Sequence, residues 1–291
     1  MPTTTPCPLC GHDKSHPFDT RTFRGYTIHN RICAHCGLVY QSPRMSSAEL
    51  EAFYTAEYRR LYQGNEGPSP KDLQVQAQRA QALLAFTQAA VPSIQRHLDI
   101  GCSAGFLLKT FQKHYGCEVR GIEPGNAYRQ YTQPRGLTVY PTLEALLAAD
   151  EPSFDLISMS HVLEHLPDPV GYLAVLRENL LTPNGWLLIE VPNLYCHDSF
   201  EIAHLTNFSA HTLRQTLHQA GYEIVRLRRH GRPRSAILPL YLTALARPSE
   251  APKPPIRPEH FVAAKRKAGM LCRRAVQKLW PRKAWLPLPQ G

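Results

Sequence analysis

The 291-residue sequence contains no run of about 18 apolar residues, the length that a membrane-spanning helix needs. Residues 1–6 carry neither the basic start nor the apolar core of a secretory signal. These two absences predict a cytoplasmic protein. The eight cysteines are then expected to be reduced, because disulfides are rare in a reducing compartment.

Positive charge is concentrated at one end of the chain. The sequence has 33 Lys and Arg against 23 Asp and Glu, a formal net charge of +10. Residues 248–291 hold ten of these cations against two Glu, which is +8, so the other 247 residues carry only about +2. Any affinity for a polyanion is therefore expected in this tail.

Four of the cysteines form two C-x-x-C-G pairs, Cys7 with Cys10 and Cys33 with Cys36, separated by 22 residues. Each pair places two thiolates on one tight turn, and two such turns predict a tetrahedral four-thiolate zinc site. A zinc ion with four protein ligands has no open position, so we expect a structural metal. Its binding would contribute about 10 to 16 kcal/mol to the folding free energy of this segment, which has few apolar residues of its own.

The stretch His97 to Phe106 combines a short apolar strand, ending near Asp99, with a turn between Gly101 and Gly105. Apolar residues at helical spacing follow it, so we predict strand, turn and helix. A second predicted strand, 117–122, ends at Glu123. A carboxylate at the tip of the second parallel strand can accept hydrogen bonds from both hydroxyls of a ribose.

Three interpretations of the glycine turn compete. A dinucleotide site requires G-x-G-x-x-G, but position 103 is Ser and Phe106 follows Gly105. The turn also fits the G-x-S-x-G elbow of hydrolases, although a cysteine cluster precedes it where that fold needs several strands. The third interpretation is a turn that cradles the amino-acid part of S-adenosylmethionine.

In the third interpretation, Asp99, Gly101, Gly105 and Glu123 resemble the first two motifs of class I S-adenosylmethionine-dependent methyltransferases. The resemblance implies S-adenosylmethionine as cofactor. It also implies cofactor contacts from one set of residues: Asp99, Gly101, Cys102, Ser103, Gly105, Glu123, Pro124, Ser160 and His161.

Residues 7–44, the cysteine pairs followed by an apolar strand and Pro43-Arg44, resemble the amino-terminal zinc-binding domain of sugar and secondary-metabolite methyltransferases. Zinc ribbons also occur on ribosomal-RNA methyltransferases. The segment therefore indicates which groups of methyltransferases the chain resembles, but it does not identify the substrate.

Strand and helix patterns alternate through the rest of the chain, which predicts an α/β fold with a doubly wound, Rossmann-like, mostly parallel seven-stranded sheet. Strands are predicted at 97–100, 117–122, 137–140, 154–160, 185–191, 222–229 and 236–246. Helices are predicted at 72–91, 106–114, 125–133, 142–149, 171–181 and 211–220. The last two strands would form the antiparallel hairpin that the resemblance implies.

We predict four segments: a zinc ribbon (1–45), a helical linker or lid (46–92), a methyltransferase domain (93–247) and a Pro-rich linker with a basic amphipathic tail (248–291). In the second segment, Ser46 and Glu49 match a capping box. They would start a helix to about Tyr62, which either packs on the domain or forms an aromatic lid. Its apolar positions are Leu50, Tyr54, Tyr58 and Leu61 or Tyr62.

The fourth strand is followed by His161, Glu164 and His165, where loops line the crevice of an open sheet. The letters match a zinc-protease pattern, but Pro167 and Pro169 interrupt the long helix which that pattern needs. Related methyltransferases that act on quinol precursors bind a divalent cation through E-x-x-E-H. A catalytic metal at these three residues is therefore one alternative, and a plain turn with Glu164 hydrogen-bonded to backbone is the other.

The run His204 to Ser209 resembles the substrate-side segment of the same methyltransferase group. A neutral imidazole could remove the proton of an acceptor hydroxyl, since its ordinary pKa is about 6.5. His204 is the first candidate for this base, with His161, His165 and Tyr195 as rivals. A capping or packing role for His204 is the alternative.

The basic tail is predicted to form an amphipathic helix. Its apolar residues share one face: Phe261, Ala264, Ala268, Leu271, Ala275 and Leu279. Cations occupy the other faces, so residues 258–285 are predicted to contact an anionic membrane surface, at about 1 kcal/mol per cation. Packing on the body and nucleic-acid binding are the competing accounts.

Taken together, these features predict O-methylation of a small-molecule, sugar or lipid-linked acceptor by a cytoplasmic, membrane-peripheral enzyme. The alternative is an RNA methyltransferase that uses the ribbon and tail to hold nucleic acid. The N/D-P-P-Y/F run expected for methylation of exocyclic amines is absent after the fourth strand, which disfavours a nucleic-acid substrate.

Overall fold

The structure, a computed structural model, describes residues 5–53, 61 and 67–287. Its strands are β1 (Ser15–Phe23), β2 (Tyr26–Cys33), β3 (Val39–Gln41), β4 (Arg96–Ile100), β5 (Glu118–Ile122), β6 (Thr138–Tyr140), β7 (Phe154–Ser160), β8 (Leu181–Pro192), β9 (Thr206–Asn207), β10 (Tyr222–His230) and β11 (Tyr241–Pro248). Its α-helices are α1 (Ser47–Ala52), α2 (Pro70–Thr87), α3 (Phe106–Tyr115), α4 (Asn126–Thr132), α5 (Leu143–Leu147), α6 (Pro169–Asn179), α7 (Ala210–Gln219), α8 (Val262–Leu279) and α9 (Pro281–Ala284).

Seven strands form one sheet in the order β10-β11-β8-β7-β4-β5-β6. The five strands from β8 to β6 are parallel, while β10 and β11 form an antiparallel hairpin that pairs with β8. Successive residues of β8 pack on opposite faces: Leu187 and Ile189 belong to one apolar cluster and Leu188 to the other. Both faces are thus covered, which confirms the predicted doubly wound, mostly parallel sheet.

The carboxyl ends of β4, β5 and β7 lie at the same edge of this sheet. The glycine turn follows β4, Glu123 follows β5, and His161 follows β7. Because ligands of open α/β sheets bind at this edge, the topology brings the predicted motifs to one place.

The amino-terminal segment forms a second sheet, in the order β1-β2-β3-β9. Its last strand comes from far along the chain, with Tyr40 paired to Thr206 and Val39 to Asn207. The Gln41 backbone N–H also donates to the Leu205 carbonyl at 2.9 Å. The predicted ribbon is therefore joined to the large domain by strand pairing.

Several predicted boundaries are wrong, among them the ends of the helix at 72–91 and the start of the strand at 185–191, which span Pro70–Thr87 and Leu181–Pro192. The helix predicted at 171–181 spans Pro169–Asn179, because the Asp168 side chain caps it by accepting from the Gly171 N–H at 2.9 Å. The strand predicted from 236 begins at Tyr241. Before it, the Ser235 hydroxyl accepts from the N–H of Leu238 at 2.9 Å, which holds the chain in a turn.

The helix predicted at Ser46 begins there, and its capping box is present, with Glu49 Oε2 accepting from the Ser46 N–H at 2.7 Å. Tyr54, Tyr58 and Tyr62, on which the aromatic-lid alternative depends, lie outside the described residues.

Residues 249–260 contain neither helix nor strand, and the predicted tail helix follows as α8. Within residues 5–53, 61 and 67–287, no helix combines the length and the apolarity required to traverse a bilayer.

Candidate active site

The turn between β4 and α3 has the strained backbone that its glycines allow. Gly101 and Gly105 have φ values of 72° and 76°, and Ser103 between them has 51°. A Cβ at Gly101 would lie 2.5 Å from Cγ2 of Val162, so only glycine fits beneath the loop after β7. A Cβ at Gly105 would lie 2.3 Å from Cδ1 of Leu137, so this glycine allows close packing inside the protein.

Glu123 ties the second strand to this turn. Its side chain is 1% exposed, Oε2 accepts from the Ser103 N–H at 3.0 Å, and Oε1 accepts from the Gly125 N–H at 2.8 Å. The carboxylate thus stands where β5 ends and faces the turn, as the sequence predicts.

Asp99 is buried at the end of β4 beside two polar neighbours. The Ser158 hydroxyl donates to Asp99 Oδ1 at 2.6 Å and lies 2.8 Å from Nε2 of His97. Burial raises the pKa of Asp99 to about 7 and the charge of Glu123 adds to this, while the Ser158 hydrogen bond opposes it. Burial also lowers the pKa of His97 to about 3, so that ring is neutral near pH 7.

A cavity of about 680 Å³ lies over the turn. It brings together eight of the predicted site residues: Asp99, Gly101, Cys102, Ser103, Glu123, Pro124, Ser160 and His161. His165 also lines it, whereas Gly105, His204 and Tyr195 are not among the lining residues.

Helix α2 forms one wall of the cavity, which the sequence analysis missed. Asp72, Gln76 and Arg79 line the wall, and Oε1 of Gln76 accepts from the Ala104 N–H of the turn at 3.1 Å. These positions, with Leu83, recur at spacings of four, three and four, which is one helical face. That spacing is a signal that could have identified them.

His161 lies between two buried carboxylates and has a positive φ of 57°. Nδ1 is 3.2 Å from Oε1 of Glu164, and Nε2 is 3.4 Å from Oε1 of Glu190. Burial and the charge of Arg79 lower the pKa of His161, but the two carboxylates outweigh them and raise it overall. The two carboxylates therefore favour the imidazolium form of the ring.

Glu164 is buried, and its carboxylate forms an ion pair with His161. Neither of its oxygens has a hydrogen-bond partner among the described residues, so the predicted backbone hydrogen bond is wrong. Burial opposes ionisation, yet His161 and two further histidines lower the pKa of Glu164 to about 2.

His165, which lines the cavity, packs against His204, with ring centroids 4.9 Å apart. Nδ1 of His165 is 2.9 Å from the Ala203 carbonyl, and Nδ1 of His204 is 2.8 Å from the Ser199 carbonyl. A carbonyl only accepts, so both Nδ1 atoms carry the proton. Burial lowers the pKa of His165 to about 4, so its neutral ring has the lone pair on Nε2.

One ligand atom each of Glu164, His165 and His204 lies within 4.8 Å of the others. The predicted alternative of a divalent cation at His161, Glu164 and His165 therefore needs a different third ligand, His204. The orphaned carboxylate oxygens of Glu164 are compatible with such an ion. Because the ion would bind the lone pair on Nε2 of His165, a metal here and a His165 base are alternatives.

Tyr195, the remaining rival base, lies outside the cavity. Its hydroxyl donates to Oε1 of Glu259 at 2.7 Å, and burial together with that carboxylate raises the pKa of Tyr195. The phenolate form needed for a base is thus disfavoured.

The four amino-terminal cysteines meet as predicted. Their sulfur atoms lie within 4.8 Å of one another, with 3.5 Å between Sγ of Cys7 and Cys36 and between Sγ of Cys10 and Cys33. A tetrahedral zinc ion with Zn–S bonds of about 2.3 Å would separate sulfurs by about 3.8 Å. The donor set and its spacing fit zinc.

Comparisons with known proteins agree with this geometry. The family model described as "Methyltransferase domain" matches residues 71–227, more than half of the chain. The chain therefore belongs to the methyltransferase-domain family, which confirms the predicted class of enzyme and the resemblance to class I methyltransferases.

Two relatives are named ubiquinone biosynthesis O-methyltransferase. The one from Hahella chejuensis (strain KCTC 2396) is 34% identical over 94 residues, which is 30% of this chain and 39% of the relative. The one from Cereibacter sphaeroides (strain ATCC 17029 / ATH 2.4.9) is 39% identical over 92 residues, 29% of this chain and 36% of the relative. The chain thus spans less than half the length of the curated relatives it matches.

Among solved structures, the chain is similar to Burkholderia thailandensis 1,6-didemethyltoxoflavin-N1-methyltransferase, which contains bound 1,6-didemethyltoxoflavin and S-adenosylhomocysteine. The TM-score is 0.56 with 20% sequence identity, over 81% of this chain and all of the other. This likeness shows the fold.

Proposed function

We propose that the protein transfers a methyl group from S-adenosylmethionine to an oxygen of a small-molecule, sugar or lipid-linked acceptor. The observation that carries this proposal is one cavity in which Asp99, the glycine turn and Glu123 are adjacent. The names of the O-methyltransferase relatives support oxygen as the acceptor atom.

The cavity offers matching groups for each part of the cofactor. Glu123 would accept from the ribose hydroxyls, since a carboxylate oxygen can accept more than one hydrogen bond. The turn from Gly101 to Ser103 would approach the amino-acid part, and the buried Asp99 would be ionised by a neighbouring ammonium group. Gly105 would act indirectly, by allowing α3 to pack closely.

When bound, S-adenosylmethionine supplies an electrophilic methyl group, so the protein's main task is to align the acceptor and remove its proton. We assign that base to His165. Its Nδ1 is fixed by the Ala203 carbonyl, its pKa of about 4 keeps the ring neutral near pH 7, and it lines the cavity.

The other candidate bases are less suited. His161 lies between Glu164 and Glu190, which raise its pKa and make it a poorer base, so it would position the loop instead. His204 lies behind His165 and outside the cavity lining, where it would orient the His165 ring.

The acceptor side of the cavity is largely apolar. Leu143, Val162, Leu166 and Tyr172 line it together with Leu50 of α1. We infer an acceptor that presents a hydroxyl on an apolar or ring-shaped body, rather than a highly charged one.

The cysteine cluster would hold a structural zinc. Cys7, Cys10, Cys33 and Cys36 supply four thiolates, which leaves no ligand position for chemistry. Its role would be to fix the ribbon, whose β3 pairs with β9 just after His204.

Incubation of the purified protein with methyl-labelled S-adenosylmethionine and fractionated small-molecule extracts tests the proposal. We expect mass spectrometry to find label on an acceptor hydroxyl, with the His165→Gln variant inactive. Label appearing only on RNA or protein, or on no acceptor at all, would contradict it.

A further inference from the structure

Helix α8 packs on the body through the face that carries Arg266 and Arg273. Arg266 is 8% exposed, and its guanidinium donates to the carbonyls of Leu194 and His197, the latter at 3.2 Å. Arg273, two turns further along, donates to the Cys196 carbonyl at 2.9 Å. Gly269, between them, lies against the backbone of Tyr195, where a Cβ would clash. The inner face thus combines hydrogen bonds to the loop after β8 with apolar contacts of Val262 and Val276.

The apolar stripe of α8 consequently faces solvent. Leu271 and Leu279 are 54% and 63% exposed, and Phe261, just before the helix, is 79% exposed. Ala264, Ala268 and Ala275 on the same stripe are also exposed. Among the described residues, five of the eight exposed large hydrophobic side chains lie within 261–285, including Trp280 and Trp285. Such a cluster marks an interaction surface.

The exposed charged side chains of residues 261–287 are all cations: Lys265, Lys267, Arg274, Lys278, Arg282 and Lys283. Glu259 is the last acidic residue in the sequence, and its carboxylate is paired with Lys265 at 3.3 Å. The surface therefore combines an apolar strip, two tryptophans and positive charge.

These features together select one occupant. Nucleic acid would match the cations but not an apolar strip, and a second copy of the chain would bring cations against cations. An anionic bilayer matches both, because acyl chains accept the leucines while headgroups meet the lysines and arginines. Tryptophan also prefers the membrane interface.

We propose that α8 lies in the plane of an anionic membrane surface, with the stripe from Ala264 to Leu279 inserted and the protein body held above it through Arg266. This inference does not depend on the proposed reaction. Since the same helix binds the loop after β8, and β8 ends at the same edge of the sheet as β7, it would place the active site near lipid-associated acceptors.

Vesicle flotation of the full chain tests the proposal. We expect binding to vesicles of phosphatidylcholine with phosphatidylglycerol and little binding to phosphatidylcholine alone. The double variant Leu271→Glu, Leu279→Glu should weaken binding by more than about tenfold, because it removes apolar contact and adds two repelled charges. Its exposed positions should leave folding intact.

The matched control is Val225→Glu on β10, whose side chain is 48% exposed and lies outside the tail. It should bind vesicles as the wild type does. Fluorescence of Trp280 and Trp285 should shift to the blue on binding. Equal flotation of the double variant, or dimers that the double variant converts to monomers without vesicles, would overturn the proposal. Tight, salt-sensitive RNA binding without vesicle binding would overturn it as well.

Discussion

Nδ1 of His161 lies 3.2 Å from Oε1 of Glu164, while its Nε2 faces Oε1 of Glu190 at 3.4 Å. Two carboxylates this close favour the imidazolium by charge attraction, which raises the pKa of His161. His165, four residues later, instead has one nitrogen fixed by a backbone carbonyl and a pKa lowered to about 4. The loop thus combines one histidine whose pKa is raised with another whose pKa is lowered.

Replacing the two histidines should have different effects. We expect His165→Gln to lower kcat by about 10² to 10⁴, the usual contribution of a general base. His161→Gln should lower kcat less, because His165 remains. Methyl transfer at saturating cofactor measures both, and His114→Gln, an exposed ring at the end of α3, serves as the control. A larger loss in His161→Gln than in His165→Gln would refute the assignment.

The pH dependence should separate binding from catalysis. Asp99, with a pKa of about 7, must lose its proton to receive an ammonium group, so KM for the cofactor should rise up to about tenfold per pH unit below that value. His165 stays neutral above its pKa of about 4, so kcat should stay level until the pH approaches that value. An acid limb of kcat near about 6.5 would instead indicate an unperturbed histidine as base.

Zinc should be found in the purified protein at about one ion per chain, because four thiolates complete one tetrahedral site. Cys33→Ser should lose the metal and lower the melting temperature. The turn at Cys33 and Cys36 supports β3, and its Cys36 carbonyl accepts from the Glu259 N–H at 3.1 Å. Elemental analysis and calorimetry measure these effects. Cys272→Ser, exposed on α8, is the control. Full stability after zinc removal would exclude a structural role.

The ion pair between Arg79 and Glu190, 2.9 Å apart, joins α2 to β8. Arg79→Ala should lower the free energy of unfolding by about 2 to 3 kcal/mol, because it leaves a fully buried carboxylate with less compensation. Chemical denaturation measures this, and Lys71→Ala, exposed on the same helix, should have little effect. A loss no larger than the control's would show that His161 and His230, whose Nε2 lies 3.2 Å from Oε2 of Glu190, compensate this carboxylate without Arg79.

The sequence predicted the elements whose burial leaves a distinct local pattern. The buried strand 154–160 and the apolar core of β8 read as short apolar runs because helices cover both faces of a parallel sheet. The motifs at Asp99, Gly101 and Glu123 were also predicted, because each motif directly follows or ends its own strand and so can be identified locally. The start of β11 at Tyr241 was not predicted. The residues from 236 to 240 are mostly apolar and resemble a strand, but the Ser235 hydroxyl holds them in a turn.

Features set by partners distant in sequence could not be predicted. The apolar stripe of α8 was correctly identified, but spacing alone does not say which face meets the body, and Arg266 decides that through the carbonyls of Leu194 and His197. The contribution of Gln76 and Arg79 to the cavity likewise depends on where α2 packs. The charge of His161 depends on Glu190, which lies on another strand.

Titration calorimetry of S-adenosylmethionine into the wild type and Glu123→Gln tests the central claim most directly. Glu118→Gln, at the start of the strand that Glu123 follows and 62% exposed at its side chain, is the control. We expect one binding site in the wild type and in the control, and affinity about tenfold to 100-fold weaker in Glu123→Gln, because one charged acceptor of the ribose hydroxyls is lost. Absence of binding to the wild type, or equal affinity in Glu123→Gln with its fold intact, would contradict the claim.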